Sequence, residues 1–242
     1  MATLAEMNKK RWDAMRIPAS MGPAFKKAAD QLSAPEAQAR YKAVEKLTGV
    51  PWWFIGVVHI RESNQNWAKS LAQGDPWNKK SVRVPKGRGP FKSWEEAAVD
   101  ALTNCHPFAA KNKDWSIGGS LAMLEKYNGL GYYNKGIPSP YIWAGTDQYV
   151  KGKYIADGKF DANHVDKQLG CAGILKFMGV FNKTGPIIAA SATATSTVVY
   201  AYTYWDHIVN HWIIYSSATA VVLSLVGLMI YAYKHKDQPS AV

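Results

Sequence analysis

Twelve residues near the first quarter of the chain, WWFIGVVHIRES at 52–63, constrain the fold most. They hold no charge until Arg61 and Glu62 and are apolar on every face. A helix without a polar stripe belongs in the interior, so the other elements must wrap around it. The expected helix starts at Val50-Pro51 and ends near Ser63. Its neighbours are announced by start and stop residues. Pro35 and Glu36 open a helix over 34–47, and Thr48-Gly49 ends it. Ser93 caps one running to about 104, with Glu95 and Glu96 in its first turn. Asp114 or Ser116 caps one reaching 127. Further helices are expected over 2–15, 23–32 and 161–178. Residues 64–93 and 128–144 read as loops, rich in Gly, Pro, Asn and Lys. The only useful alternation is SVRVP at 81–85. The expected domain is therefore mainly α, with at most a small β element.

The remainder of the chain is of another kind. Residues 212–233, WIIYSSATAVVLSLVGLMIYAY, are uncharged and match the ~20 residues that cross a bilayer as a helix. Trp212, Tyr215, Tyr231 and Tyr233 sit near the ends, and Lys234, His235 and Lys236 follow. Residues 186–205 are also uncharged but rich in Ala, Ser and Thr. They read either as a linker to a single transmembrane helix or as the first arm of a helical hairpin. The positive-inside rule favours the hairpin, which places the basic domain and the basic tail on one side. Two regions result: a soluble domain over 1–184 and a membrane segment over 185–242. No N-terminal signal peptide is expected, because the first residues lack an apolar core.

The net charge of +11 lies wholly within residues 1–184, since the acids and bases of the tail cancel. A basic domain suits a polyanion: nucleic acid, an anionic membrane or a wall polymer. The loop carrying Lys79, Lys80, Arg83, Lys86 and Arg88 lacks the interleaved aromatics of a single-strand binder. No nucleic acid is therefore expected as a partner. Cys105 and Cys171 belong to no CxxC motif and no metal-spaced cluster, so both read as buried thiols and no cofactor or metal is expected.

Glu62 is the candidate catalytic residue. A carboxyl near the negative end of an apolar helix holds its proton to higher pH, as a general acid must. Three segments recur in order: IRES at 60–63, YNGLGYY at 127–133 and PSPYIW at 138–143. Together they resemble the lysozyme superfamily, in its goose-type lysozyme and soluble lytic transglycosylase branch. The intervening stretch from 74 to 102 is similar to phage and prophage lysozyme-like proteins, and the resemblance covers roughly residues 35–180.

The resemblance implies a lysozyme-like helical domain that cleaves the β-1,4 bond between N-acetylmuramic acid and N-acetylglucosamine of peptidoglycan. It implies Glu62 as general acid and Tyr127, Asn128, Tyr132 and Tyr141 as glycan-binding residues, with Tyr133 and Trp143 as further stacking candidates. Asp75 is the first candidate for a second carboxylate; Asp100, with Glu96 one turn before it, reads as structural. Without a second carboxylate, the sugar's own 6-hydroxyl becomes the nucleophile. The expected setting is phage- or prophage-associated lysis as an endolysin, at the bacterial inner membrane or in a virion. The partners are the glycan strand, the bilayer and the tail itself through self-association. The Gly-Leu-Met-Gln type segment of that branch is missing, which leaves two alternatives. One is an inactive wall-binding protein in a membrane or virion assembly; the other is a holin-like role for the tail.

Overall fold

The computed structural model divides between Lys183 and Thr184 into two units, and it describes residues 2–181, which belong to the first. The candidate spans at 186–205 and 212–233 lie outside the described residues. Among the described residues no helix is long and apolar enough to cross a membrane.

The described region is mainly helical. Helices α1 (Leu4–Ala14), α2 (Gly22–Ser33), α3 (Pro35–Thr48), α4 (Trp52–Ser63), α5 (Trp94–Thr103) and α6 (Ile117–Asn128) come first. Two single turns follow, α7 (Gly131–Asn134) and α8 (Pro140–Trp143). Strands β1 (Lys153–Ala156) and β2 (Lys159–Asp161) then precede α9 (Cys171–Met178). As its composition requires, α4 is the central element, with Phe54 to Ile60 all buried. Helices α2, α3 and α9 pack against it, while α3 also packs on α5 and α1 lies along α6. The start signals act as written. Thr3 and Glu6 form a capping box on α1, Ser93 accepts from the Glu96 amide, and Ser116 caps α6.

Three expectations are corrected. The stretch 81–85 is not a strand. Ser81 folds it into a tight loop, its hydroxyl donating to the Pro85 carbonyl and its amide to the Arg88 carbonyl. The β element is instead the antiparallel hairpin β1–β2, in a stretch given no element from the sequence, and the helix expected over 161–178 is only α9, from Cys171 to Met178. Its two-residue turn is Asp157-Gly158, with Gly158 at φ 68°. Asp-Gly between strands is a strong hairpin signal, because the turn needs positive φ. The third correction is in 128–144, which read as loop but contains α7 and α8.

The α8 turn is pinned by Gly170. A β-carbon there would lie 2.6 Å from the Ala144 amide nitrogen and closer still to the Ile142 carbonyl oxygen. The missing side chain lets the start of α9 meet the backbone of α8. This contact holds Tyr141 over the end of α4.

Candidate functional site at the end of the central helix

Glu62 lies in the last turn of α4, half-buried. Its Oε1 accepts a hydrogen bond of 2.9 Å from the Tyr141 hydroxyl. Burial pushes its carboxyl up to about 7, while the Tyr141 hydrogen bond and the Arg61 charge pull the other way without cancelling it. Tyr127 and Cys171 are close enough to feel its charge, and both are themselves raised, chiefly by burial. The Tyr127 hydroxyl donates to the Leu71 carbonyl at 3.2 Å. Glu62 thus sits between α6, α8, α9 and the segment 70–75, and its carboxyl changes charge near neutral pH.

The helix end that carries it is held from both sides. Arg61 stacks over the Tyr141 ring at 4.8 Å and donates to the Gln168 and Leu169 carbonyls. Its Nη2 pairs with Asp166 at 2.9 Å, and Lys153 of β1 reaches the same carboxylate at 2.9 Å. The Gln168 amide donates to the Ile60 and Arg61 carbonyls of the last turn, where Ile60 also accepts from the Asn64 amide. After the helix, Asn64 and Gln65 both adopt the left-handed region, at φ 53° and 57°.

That turn is secured by a polar chain through the core. The Gln65 amide donates to the Tyr41 hydroxyl at 2.9 Å, and Tyr41 lies 3.0 Å from His59 Nδ1. His59 Nε2 lies 3.1 Å from the Asn66 carbonyl. A carbonyl only accepts, so Nε2 carries the proton and Nδ1 accepts from Tyr41. Burial lowers the imidazole to about 4, so it is neutral and can fill both roles. Its ring is enclosed by Trp67 and Trp94.

The residues singled out in the sequence are distributed unevenly around this site. Glu62, Tyr127 and Tyr141 come together. Tyr141 is buried and meets Glu62 through its hydroxyl, so it positions the carboxyl and offers no ring face. Asn128 is exposed, its amide 3.4 Å from the Ser139 hydroxyl, and remains able to meet a ligand. Tyr132 is corrected as a stacking residue: it is 6% exposed, and its hydroxyl accepts from the Tyr154 amide to hold the hairpin. Trp143, at 1% exposed, is core. Tyr133 is exposed.

Asp75 is buried, and both its oxygens are engaged. Oδ2 accepts from the Val82 and Arg83 amides at 2.9 Å each, and Oδ1 lies 3.3 Å from the Arg83 guanidinium. Those amides hold its carboxyl below the ordinary range. Asp75 therefore organises the basic loop. Asp100 does likewise from α5, gripping Arg88 and the Asn104 amide. Arg61, Asp166 and Gln168 were missed by sequence reasoning, and no local pattern joins residues a hundred positions apart. Among the described residues no group of His, Cys, Asp or Glu is placed to hold a metal ion.

No family model, curated protein or solved structure matches this chain.

The Glu62–Tyr141 contact has a direct test. In a titration of the Glu62 side-chain carboxyl followed by carbon NMR, the inflexion is expected near pH 7. Tyr141→Phe removes a hydrogen bond that favours the charged form, so the inflexion should move higher. An inflexion in the ordinary carboxylate range would show that Glu62 is solvated.

Proposed function

We propose that residues 1–184 form a lysozyme-like domain that cleaves the β-1,4 bond between N-acetylmuramic acid and N-acetylglucosamine in peptidoglycan. The observation that carries this reading is Glu62: a half-buried carboxyl at a helix end, oriented by Tyr141 and titrating near 7. Such a group is protonated in a useful fraction at neutral pH and can hand that proton to a glycosidic oxygen. Tyr127 beside it, with Asn128 exposed at the same helix end, supports glycan binding along α6.

Two-carboxylate glycosidases need a second free acid or base across the sugar. Asp75, Asp100 and Asp166 are each committed to amides or to arginine and lysine. This favours attack from within the substrate. Glu62 gives its proton to the leaving oxygen as the bond to the muramic acid C1 breaks. The 6-hydroxyl oxygen of the same sugar bonds to C1, and its proton passes to the Glu62 carboxylate. The products are a 1,6-anhydro end and a free hydroxyl on the departing sugar, with Glu62 restored.

The membrane segment over 185–242 completes the proposal. Its uncharged runs anchor the domain at a bilayer, as suits phage- or prophage-associated lysis. The wall glycan and the lipid bilayer are then its two partners.

Mass spectrometry of purified sacculi treated with the protein tests the reading. Soluble fragments with anhydro ends are expected. Reducing ends would make water the nucleophile and leave the role of Glu62 intact. Sacculi that bind protein but release no sugar would leave a wall-binding protein and overturn the enzymatic reading.

A further inference from the structure

The loop from Lys79 to Arg88 is unusual in what it exposes. Val82 and Val84 are 73% and 80% exposed, and Val84 is the most exposed large apolar side chain among the described residues. Lys79, Lys80, Arg83 and Lys86 are exposed around them. Arg83 and Arg88 are engaged by Asp75 and Asp100, but the three lysines have no ion pair or side-chain hydrogen bond among the described residues.

The loop is nonetheless firmly built. Asp75 holds the Val82 and Arg83 amides, the Gln73 amide donates to the Pro85 carbonyl at 3.0 Å, and Arg88 is clamped to α5. Its base adjoins the catalytic candidate. Gly74 turns at φ 66°, and a β-carbon there would stand 3.4 Å from the Glu62 carbonyl oxygen. Tyr127, beside Glu62, donates to Leu71 in the same segment. A rigid loop that spends buried carboxylates on its own shape, yet leaves two valines and three ammonium groups in water, is built to meet something apolar and anionic.

We infer that this loop is a recognition surface for the glycan strand of peptidoglycan. The lysines pair with carboxylates of its peptide side branches, and Val82 and Val84 cover apolar sugar faces. This rests on the proposed substrate, and it assigns the loop rather than Glu62 the task of selecting an anionic wall polymer over a neutral one. A bilayer would also attract a basic and apolar loop. The anchoring of this loop to the segment beneath Glu62 favours the polymer that Glu62 would cut.

The test is binding, not cleavage. The full chain carrying Glu62→Gln is pelleted with purified sacculi, either native or with their carboxylates amidated. Replacing Lys79, Lys80 and Lys86 together by Gln should weaken binding to native sacculi about tenfold, or ~1.4 kcal/mol. Amidation should weaken the parent to the same level, and the triple variant should lose nothing further on amidated sacculi. Val82→Ser with Val84→Ser should weaken binding to both preparations. Equal affinity of parent and triple variant for native sacculi would overturn the inference. So would an equal loss on native and amidated sacculi. A lysine effect confined to anionic phospholipid vesicles would assign the loop to the bilayer and overturn it as well. These outcomes are independent of whether Glu62 cleaves anything.

Discussion

Glu62→Gln is expected to lower release of soluble wall fragments by about a thousandfold, the scale of a lost general acid. The amide keeps the shape and can still accept from Tyr141, but it has no proton of suitable acidity to give. The same variant should gain stability at alkaline pH. The folded carboxyl titrates at about 7 against an ordinary 4.5, so between those values the folded state binds more protons than the unfolded one. Stability contributed by Glu62 therefore falls as pH rises through this window, and the full cost is present above about 7. Gln carries no such cost. The melting temperature of the variant relative to wild type should be higher at pH 8 than at pH 5. A variant that clears sacculi at the wild-type rate would remove Glu62 from the chemistry. A melting difference independent of pH would show that its ionisation is not linked to folding.

Asp166→Asn should have the largest effect on the fold. The carboxylate is almost wholly buried between Arg61 and Lys153. Burial alone would raise its pKa, but the hydrogen bonds from Lys153 and Arg61 more than offset this and hold it below the ordinary range. Removing its charge strands the buried Arg61 guanidinium, a change that costs about 3–5 kcal/mol. In a domain of this size the melting temperature should fall by roughly 10 °C. The sign with pH is opposite to that of Glu62. Asp166 contributes above the ordinary carboxylate pKa and ceases to contribute as pH falls through its depressed value, so the deficit of the variant should narrow in strongly acidic buffer. Glu62 should respond too. Arg61, whose charge already lowers the Glu62 titration, is left uncompensated, and this should move it further downward. Thermal unfolding across pH checks the first effect and carbon NMR of Glu62 the second. An unchanged melting temperature would mean that the ion pairs are replaced by solvent.

What could be read in the sequence was what neighbours along the chain determine. The burial of α4 follows from its missing polar stripe, and the ends of α3, α5 and α6 follow from Gly49, Ser93 and Ser116. Glu62 could be singled out because its place at the end of an apolar helix is visible along the chain, although Tyr127, Tyr141 and Cys171 around it come from other elements. The hairpin carries a local signal in Asp157-Gly158, but its strands are short and do not alternate clearly, so it went unread. What could not be read were relations across the fold. Asp75 and a catalytic carboxylate look alike in sequence, and only the amides of Val82 and Arg83 at its oxygens distinguish them. Tyr132 and Tyr127 are both tyrosines in one segment, yet one is consumed by the hairpin and the other meets the site. Arg61 was given no functional role from the sequence. It faces Asp166, because the chain returns to the end of α4 a hundred residues later.

Cys105 and Cys171 are both free and buried, and burial raises each above the ordinary thiol value. Neither is readily a thiolate, the form that reacts with oxidants and disulfides. Under the proposed function the domain would be made among reductants and act beyond the membrane. Cys105 and Cys171, buried as they are, would stay reduced thiols in either setting.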